Sequence, residues 1–516
     1  MGIFDIFKAK PQAILPKEHT IRPHIEIEQS RYGNRKYSWG KVKPGDVLSY
    51  EDIRNRSRAI YRDSTIAHGI VQRLVDNVIN TGLTFESGPE WDLLPNGPTD
   101  DESRYSWTQN IESFWNLYAK SKESDLEGRL TFQQLQRLIY RLLIVDGEVF
   151  AILRYLNSPM RTSPIAIQLV QPEQVVSPYG GSETQAITNR GGYVKDGIEF
   201  DSTGQRVAVW VQEELGKPPV RIPFYGPRSG RRFIIHLANI ESAGQVRGFP
   251  ELESLAYELS RLTEYDIAEL EAVVASGTLM GAVESDKDAL PNKGPKINPG
   301  VNFRTEQQNG PNPGIETVQI GEKAIVMNNL YPGYSMKLFQ PTRPNPNYNA
   351  FVEAFEARIG GALGMPRSVL LQKFDGSYSA ARGEIKFFWH TVDRRRDDFI
   401  AGFLDPFFEC WFSENIRANE IEAEGYNFPR QKKAWLMGTW DGISMPQIDP
   451  LKEVNAVKTR LELGHTTGER EAKNYNGSDI RSNLERLTTE NELRRQANIS
   501  LMPELSGDED QEEQDE

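Results

Sequence analysis

The stretch Pro250-Glu-Leu-Glu-Ser-Leu-Ala-Tyr-Glu-Leu-Ser-Arg-Leu-Thr-Glu-Tyr-Asp-Ile-Ala-Glu-Leu-Glu-Ala-Val-Val-Ala-Ser276 decides the fold. It reads as one helix. Proline is favourable at a first helical position, and Leu252, Leu255, Leu259 and Leu262 form a narrow stripe at helical spacing. At 1.5 Å per residue it is roughly 40 Å long. Seven acids (Glu251, Glu253, Glu258, Glu264, Asp266, Glu269, Glu271) stand against one base, Arg261, so most of its circumference is unsuited to a core. An insert over about Gly281–Asn347 follows. Its nine Pro, seven Gly and nine Asn exclude a helix and leave room only for short strands at Ala324–Met327 and Met336–Phe339. A second helix, Tyr348–Leu363, carries Phe351, Phe355, Ile359 and Leu363 in phase and stops at Pro366. Then come a loop, Arg367–Gly376, and a long helix from Ser377 to Phe412, with a kink expected at Pro406. The stripes are too narrow for a private core. They look like one stave of a barrel built from neighbouring copies.

Working outward, residues 1–48 read as an extended basic arm. A helix is expected over Tyr50–Thr81, capped by Ser49 and stopped by Gly82, with Ile66, Ile70, Leu74 and Val78 in phase. Two more helices follow, about Ser103–Lys120 and from Phe132 onward. From Gly147 to His236 the texture turns to strands, at Glu148–Arg154, Ile165–Val170, Arg206–Val211 and Arg232–His236. This is an α+β region with a mainly antiparallel sheet. After Gly425 helices resume, with Trp435 and Trp440 as core anchors.

The bulk numbers exclude several classes. The 516 residues suffice for two to four domains, and no apolar run reaches the length of a membrane helix. The opening Met1-Gly-Ile-Phe-Asp-Ile-Phe-Lys8 is too short and too early charged for a signal peptide. One cysteine, Cys410, excludes a disulfide framework, and its apolar neighbours make it a small core residue rather than a nucleophile. The net charge of −13 is uneven. Residues 1–62 hold 13 Lys/Arg against 7 Asp/Glu, while Glu504–Glu516 holds eight acids and no base. No phosphate loop, H-E-x-x-H, nucleophile elbow or dinucleotide fingerprint occurs, so no enzyme, cofactor or metal site is expected. His236 and His390 are expected in apolar surroundings as satisfied core or interface residues.

Six segments, in collinear order from about residue 50 to 470, carry a resemblance. They are Arg54-Asn-Arg-Ser-Arg58 with Arg62 and Asp76–Gly82; Arg247-Gly-Phe-Pro250; Tyr265–Ala272; Phe351–Pro366; Phe374-Asp-Gly-Ser-Tyr-Ser-Ala-Ala-Arg382; and Asp449-Pro-Leu-Lys-Glu453 with Gly464. Together they resemble the lambda-type branch of tailed-bacteriophage portal proteins. Ala380 departs from the pattern, which usually has a second serine beside Ser379.

The resemblance implies an α+β portal-type fold: helical wing with a mixed sheet, two stem helices, a β-containing clip, a long kinked tunnel helix and a helical crown. It divides the chain into an N-terminal arm (1–48), wing (49–246), first stem helix (247–280), clip (281–346), second stem helix (347–366), tunnel loop (367–376), tunnel helix with wing return (377–424), crown (425–500) and a disordered acidic tail (501–516). It also implies a homo-oligomeric ring of about twelve copies at one capsid vertex. Such a ring handles double-stranded DNA without sequence preference in packaging, retention and ejection. Its implied partners are the terminase large subunit, the major capsid and scaffold proteins and the head–tail connector, with no membrane. The site is virion-bound, with assembly in host cytoplasm.

The residues suggest how such a conduit works. Duplex DNA is densely negative, and a channel that bound it tightly would stall it. Glu258, Glu264, Glu269 and Glu271 are the channel-lining candidates on the first stem helix. Gln372, Lys373, Phe374 and Asp375 form the tip of the tunnel loop. Arg382, Arg394, Arg395 and Arg396 are open to two readings, phosphate contact or contact between subunits. For Arg394–Arg396 the favoured reading is pairing with Asp393, Asp397 and Asp398 across subunits. Two other classes stay open, an α+β enzyme without a linear signature and another kind of ring adaptor.

Overall fold

The computed structural model describes residues 49–156, 158–178, 180, 182–214, 216–276, 281–285, 317–320, 324–327, 334–338, 347–373, 377–446, 450–476 and 480–497. They form two compact units, one of residues 49–256 and 360–497, the other of residues 257–359.

The first unit opens with α1 (Tyr50–Asp63), where the Ser49 hydroxyl accepts from the Asp52 N–H at 3.1 Å in a capping box. The single helix expected over 50–81 is two. Ser64 is extended, and its hydroxyl accepts from the Ala67 N–H at 3.3 Å to start α2 (Thr65–Val78). A serine hydroxyl competes with the helical ladder for backbone donors, and here it ends one helix and caps the next. Next come β1 (Thr84–Ser87), α3 (Asp101–Lys120) and α4 (Phe132–Asp146). Gly147, in the left-handed region at φ 82°, turns α4 into β2 (Glu148–Tyr155).

The sheet region continues with β3 (Ile165–Val170), α5 (Ser182–Asn189), β4 (Tyr193–Lys195), β5 (Ile198–Phe200), β6 (Arg206–Val211), β7 (Val220–Pro223) and β8 (Ile234–Ala238). It forms two antiparallel sheets, in the orders β3-β2-β8 and β4-β5-β6-β7. Phe150, Ile152, Ile198, Val209 and Phe224 share one core. β4, β5 and β7 are too short to show a period. β8 lies two residues beyond the expected strand.

Glu251–Leu255 form a tight 3-10 turn before α6 (Ala256–Ser276), so the helix expected from Pro250 begins one turn later. Its leucine stripe is buried, each of the four side chains being 0–1% exposed. The second unit contains the rest of α6, β9 (Gly281–Ser285), β10 (Thr317–Ile320), β11 (Ala324–Met327), β12 (Tyr334–Leu338) and most of α7 (Tyr348–Leu363). β10 pairs with β11, and β12 returns antiparallel to β9. β11 coincides with an expected strand, and α7 has its expected bounds.

Back in the first unit, the segment expected as loop from Arg367 starts as a short helix, α8 (Arg367–Leu371), with Pro366 extended before it and Leu370 buried. A single turn carries too few apolar positions to register as periodic. α9 (Tyr378–Phe399) follows, then a π-helical turn, Ile400–Leu404, and α10 (Asp405–Arg417). The kink expected at Pro406 takes this form. The missing proline N–H is absorbed by a wider turn just upstream, a known way of re-satisfying a helix. A side chain at Gly402 in that turn would meet Leu237 Cδ1 at 2.3 Å.

The chain ends in α11 (Pro429–Trp435), β13 (Gly438–Asp441), α12 (Pro450–Glu462), α13 (Gly468–Asn476) and α14 (Ile480–Gln496). β13 pairs with β1, setting Trp440 opposite Phe85, and Trp435 packs on Trp91 and Trp107. Residues 429–441 are therefore built into the helical layer of α3 and β1. Trp115 is the centre of this layer, with the rings of Phe132, Phe407, Phe408, Trp411 and Trp440 at centroid distances of 5.0–6.3 Å. Cys410 is buried nearby, and burial pushes its thiol up to about 12, as suits a core residue. His390 lies exposed on α9 and so outside the core of this chain.

Candidate functional site

Two of the segments that carried the resemblance meet at one buried carboxylate, Glu148, the first residue of β2. From one side Arg54 Nη1 donates to it at 3.3 Å. From the other, Arg247 Nε donates to both carboxylate oxygens at 2.7 and 2.9 Å, and the Gly248 N–H adds a bond at 3.2 Å. Arg247 spends its remaining donors on the carbonyls of Pro172, Val175 and Asp196. Arg58 forms a two-bond pair with Asp146 at 2.7 and 2.9 Å and reaches Glu173, which also accepts from Arg54 at 3.0 Å. Three arginines are thus matched by three carboxylates.

His236 completes the cluster, with Nε2 3.1 Å from Glu148, Nδ1 3.1 Å from Arg206 and its ring stacked on Phe150. An arginine can only donate, so Nδ1 accepts, and the proton sits on Nε2 facing Glu148. Burial is the largest influence on His236 and lowers its pKa, against the opposing pull of Glu148. Burial also pushes the Glu148 carboxyl upward, but the Arg247 charge and the His236 and Arg247 hydrogen bonds outweigh it and hold the group at about 2.

The backbone at this point leaves no room for side chains. A Cβ at Gly147 would lie 2.2 Å from the Phe249 carbonyl carbon, and one at Gly248 would lie 2.0 Å from the Gly147 oxygen. The Arg247-Gly-Phe-Pro250 segment is thereby fixed against β2 just before the turn into α6.

That turn is clamped by its own acids. Glu253 accepts from Arg56 on α1 at 2.6 Å, and Glu251 accepts two bonds from Arg395 on α9, both 2.8 Å. The side chain of Arg395 is only 11% exposed. Arg396 donates to the carbonyls of Asn77 and Val78 at 2.9 Å and stacks over Trp389. Arg394 pairs with Asp398 of its own helix at 3.5 Å. The expectation is therefore corrected for two of the three. Arg395 and Arg396 are engaged inside the chain, where they tie α9 to the turn before α6 and to the end of α2.

Within the second unit α6 meets α7 through Tyr265, which stacks on Tyr348 and packs at a tilt against Phe351, and through Asp266, which accepts from the Tyr348 hydroxyl at 2.9 Å. At about 100° per residue the four candidate acids do not share a face. Glu258 and Glu269 fall within about 20° of each other, between Tyr265 and Asp266 and so toward α7. Glu264 and Glu271 fall within about 20° of each other on the far side. Glu264 there pairs with Arg261 at 3.1 Å, and Glu271 is exposed. Leu270 and Val273 of α6 stay 65% and 45% exposed, and Phe351 of α7 39%.

The candidate loop springs from a closed base. Ser368 on α8 donates to Glu384 on α9, the Lys373 N–H donates to the Ser368 carbonyl at 3.0 Å, and Ser377 caps α9. Gln372 ends α8 in the left-handed region at φ 55°. Gln372 and Lys373 are exposed; Phe374 and Asp375 lie outside the described residues. Arg382 is exposed on the first turns of α9. The structure thus brings Gln372, Lys373 and Arg382 to one end of α9 and sends Arg395 and Arg396 elsewhere. Glu148 was missed by sequence reading. Its one signal was an acid opening an otherwise apolar strand.

Among the described residues no helix is long and apolar enough to cross a membrane. Compared with known proteins, the chain is 22% identical to the portal protein of Escherichia phage N15 over 475 residues, covering 88% of this chain and 86% of that protein. It is 22% identical to portal protein B of Escherichia phage lambda over 469 residues, covering 86% and 84%. Among solved structures, the neck of an empty gene transfer agent particle, computed with C6 symmetry, matches with a TM-score of 0.43 at 11% identity, covering 80% of this chain and 90% of that one. The neck of the native particle, computed with C12 symmetry, gives 0.35 at 11% identity, covering 75% and 94%. The family model described as phage portal protein, lambda family, matches residues 38–396, well over half the sequence, and the chain belongs to that family.

Proposed function

We propose that copies of this portal protein close into a ring of about twelve at one vertex of a phage head. Double-stranded DNA passes through the centre during packaging, is held there, and leaves at ejection. The observation that carries this reading is membership of the portal family across residues 38–396. The acid-dominated α6 supports it physically. A ring of such helices repels phosphate, so DNA stays centred and is not trapped by strong contacts. Lys373, beside the end of α8, supplies a limited phosphate contact at the loop. The chain performs no catalytic step, and the work of moving DNA comes from outside it. The insert 281–346 is the docking end for the terminase large subunit and later the head–tail connector. Residues 49–246 face the major capsid and scaffold proteins.

Removing Gln372–Asp375 tests the assignment of the loop. The Ser368–Glu384 bond and the Ser377 cap of α9 lie outside the deletion, so rings form with unchanged mass. Heads built with them retain at least tenfold less DNA in a nuclease-protection packaging assay. Loss of ring assembly, or full DNA retention, would contradict the assignment.

A further inference from the structure

The last three helices carry apolar residues that find no cover within the chain. Among the described side chains of α12, α13 and α14 none is buried. The helices are nevertheless held in place. Arg460 on α12 donates twice to Glu471 on α13, both at 3.0 Å, and Arg481 on α14 lies over the Tyr105 ring of α3 at 5.0 Å. On α12, Val454, Val457 and Leu461 fall within about 60° of one another around the axis. Val454 is 55% exposed and Leu461 40%. On α14, Leu484, Leu487 and Asn491 fall within an arc of the same width, about 60°. Leu484 is 57% exposed and Leu487 40%. Both strips have the spacing i, i+3, i+7 and run about 10 Å along their axes. Leu493 lies on the other side of α14 and belongs to neither strip. Strips this narrow have the pattern of a seam between two helices, whereas a helix laid on a broad core shows a wider apolar face.

We propose that these two strips pair across copies, α12 of one chain against α14 of the next. The inference rests on the ring reading above and names a surface that closes the ring. The occupant is a second copy because each strip needs a helix with a strip of matching width and spacing. This chain presents one of each, and both face solvent in the single copy. Pairing the two unlike strips is a heterologous contact, which closes a ring when repeated by rotation, whereas α14 on α14 would stop at a two-fold dimer. Asn491 gives the α14 strip one polar position, the kind of residue that fixes register in a helical seam. Duplex DNA presents a densely charged backbone and would leave the leucines uncovered.

The test uses the full-length chain, with particle mass measured by mass photometry and helix content by circular dichroism. Wild type gives the ring. Val454→Gln with Leu461→Gln, and Leu484→Gln with Leu487→Gln, each weaken assembly more than tenfold. Helix content is unchanged, because all four side chains are exposed in the single chain. Crosslinking identifies the partner. Cys410 is buried, so the introduced surface cysteines are the ones that react. With Leu461→Cys and Leu487→Cys in one chain, a short bismaleimide, quenched before denaturation, links neighbours into a ladder of covalent oligomers on a denaturing gel. Either single cysteine variant stays at single-chain mass. Rings of normal stability in both glutamine pairs would overturn the seam. So would a two-chain product from Leu487→Cys alone, which would mean that α14 pairs with itself, or rings of the double-cysteine variant with no link between chains. If a glutamine pair loses helix content, the cysteine variants decide the question on their own. A wild-type chain that forms no ring would overturn the broader functional reading itself, and the wild-type measurement shows this separately.

Discussion

Replacing Glu148 with Gln destabilises the first unit by about 3–5 kcal/mol at neutral pH, the cost expected when one partner of a buried ion pair is removed. The loss is large because Arg54 and Arg247 are almost fully buried, at 4% and 3% side-chain exposure, and each would keep its charge. Arg54 retains Glu173 and Arg247 retains three carbonyls, so partial unfolding at the start of α6 is expected before global collapse. The pH dependence provides a signature. Glu148 has a folded-state pKa lowered to about 2, so its stabilisation is fully present above the unfolded carboxyl value and is lost as pH falls toward the folded one. Wild type and Glu148→Gln therefore differ most above about pH 4.5 and converge as pH approaches about 2. Urea unfolding followed by tryptophan fluorescence across that range measures the gap. A gap that is absent at pH 7, or constant down to pH 2, would show that the cluster does not hold this junction.

Reversing the outer acids of α6, Glu264→Lys with Glu271→Lys, slows DNA passage at least tenfold while ring mass stays unchanged. Each chain gains four units of positive charge on the face away from α7. A ring of about twelve repeats that change and turns a repelling wall into one that binds phosphate. The effect should weaken as salt rises, because screening acts on exposed charges first. The companion variant Glu258→Lys with Glu269→Lys changes the same charge on the side toward Tyr348. It lowers the melting temperature and has a smaller effect on DNA. Single-particle packaging rates at two salt concentrations, together with thermal melts, separate the two pairs. Equal effects from both pairs, or no slowing from either, would mean that the far side of α6 does not line the channel.

The sequence reading succeeded where one periodic face met an unambiguous stop. α7 runs Tyr348–Leu363 as expected, because its aromatic and aliphatic positions share a phase and Pro366 closes it. The leucine stripe of α6 is buried for the same reason. It fell short where a side chain or a distant contact overrides the period. Ser64 breaks the expected long helix with one hydroxyl, and Gly402 and Pro406 sit at a π turn that no period reveals. Of the candidate site, the exposure of Gln372, Lys373 and Arg382 followed from polarity alone. Arg395 and Arg396 did not, because their partners Glu251, Asn77 and Val78 are more than 140 residues away in sequence. Glu148 was hidden for the same reason. Its partners come from positions 54, 236 and 247 and are joined only by the fold.

Particle mass of the purified full-length chain, with class averages from electron microscopy, tests the central claim most directly. Copies of 58.6 kDa closing as proposed give a ring of about 700 kDa with an axial hole. A species that remains a single chain, or stops at a two-fold dimer, at all concentrations and salt conditions would contradict it.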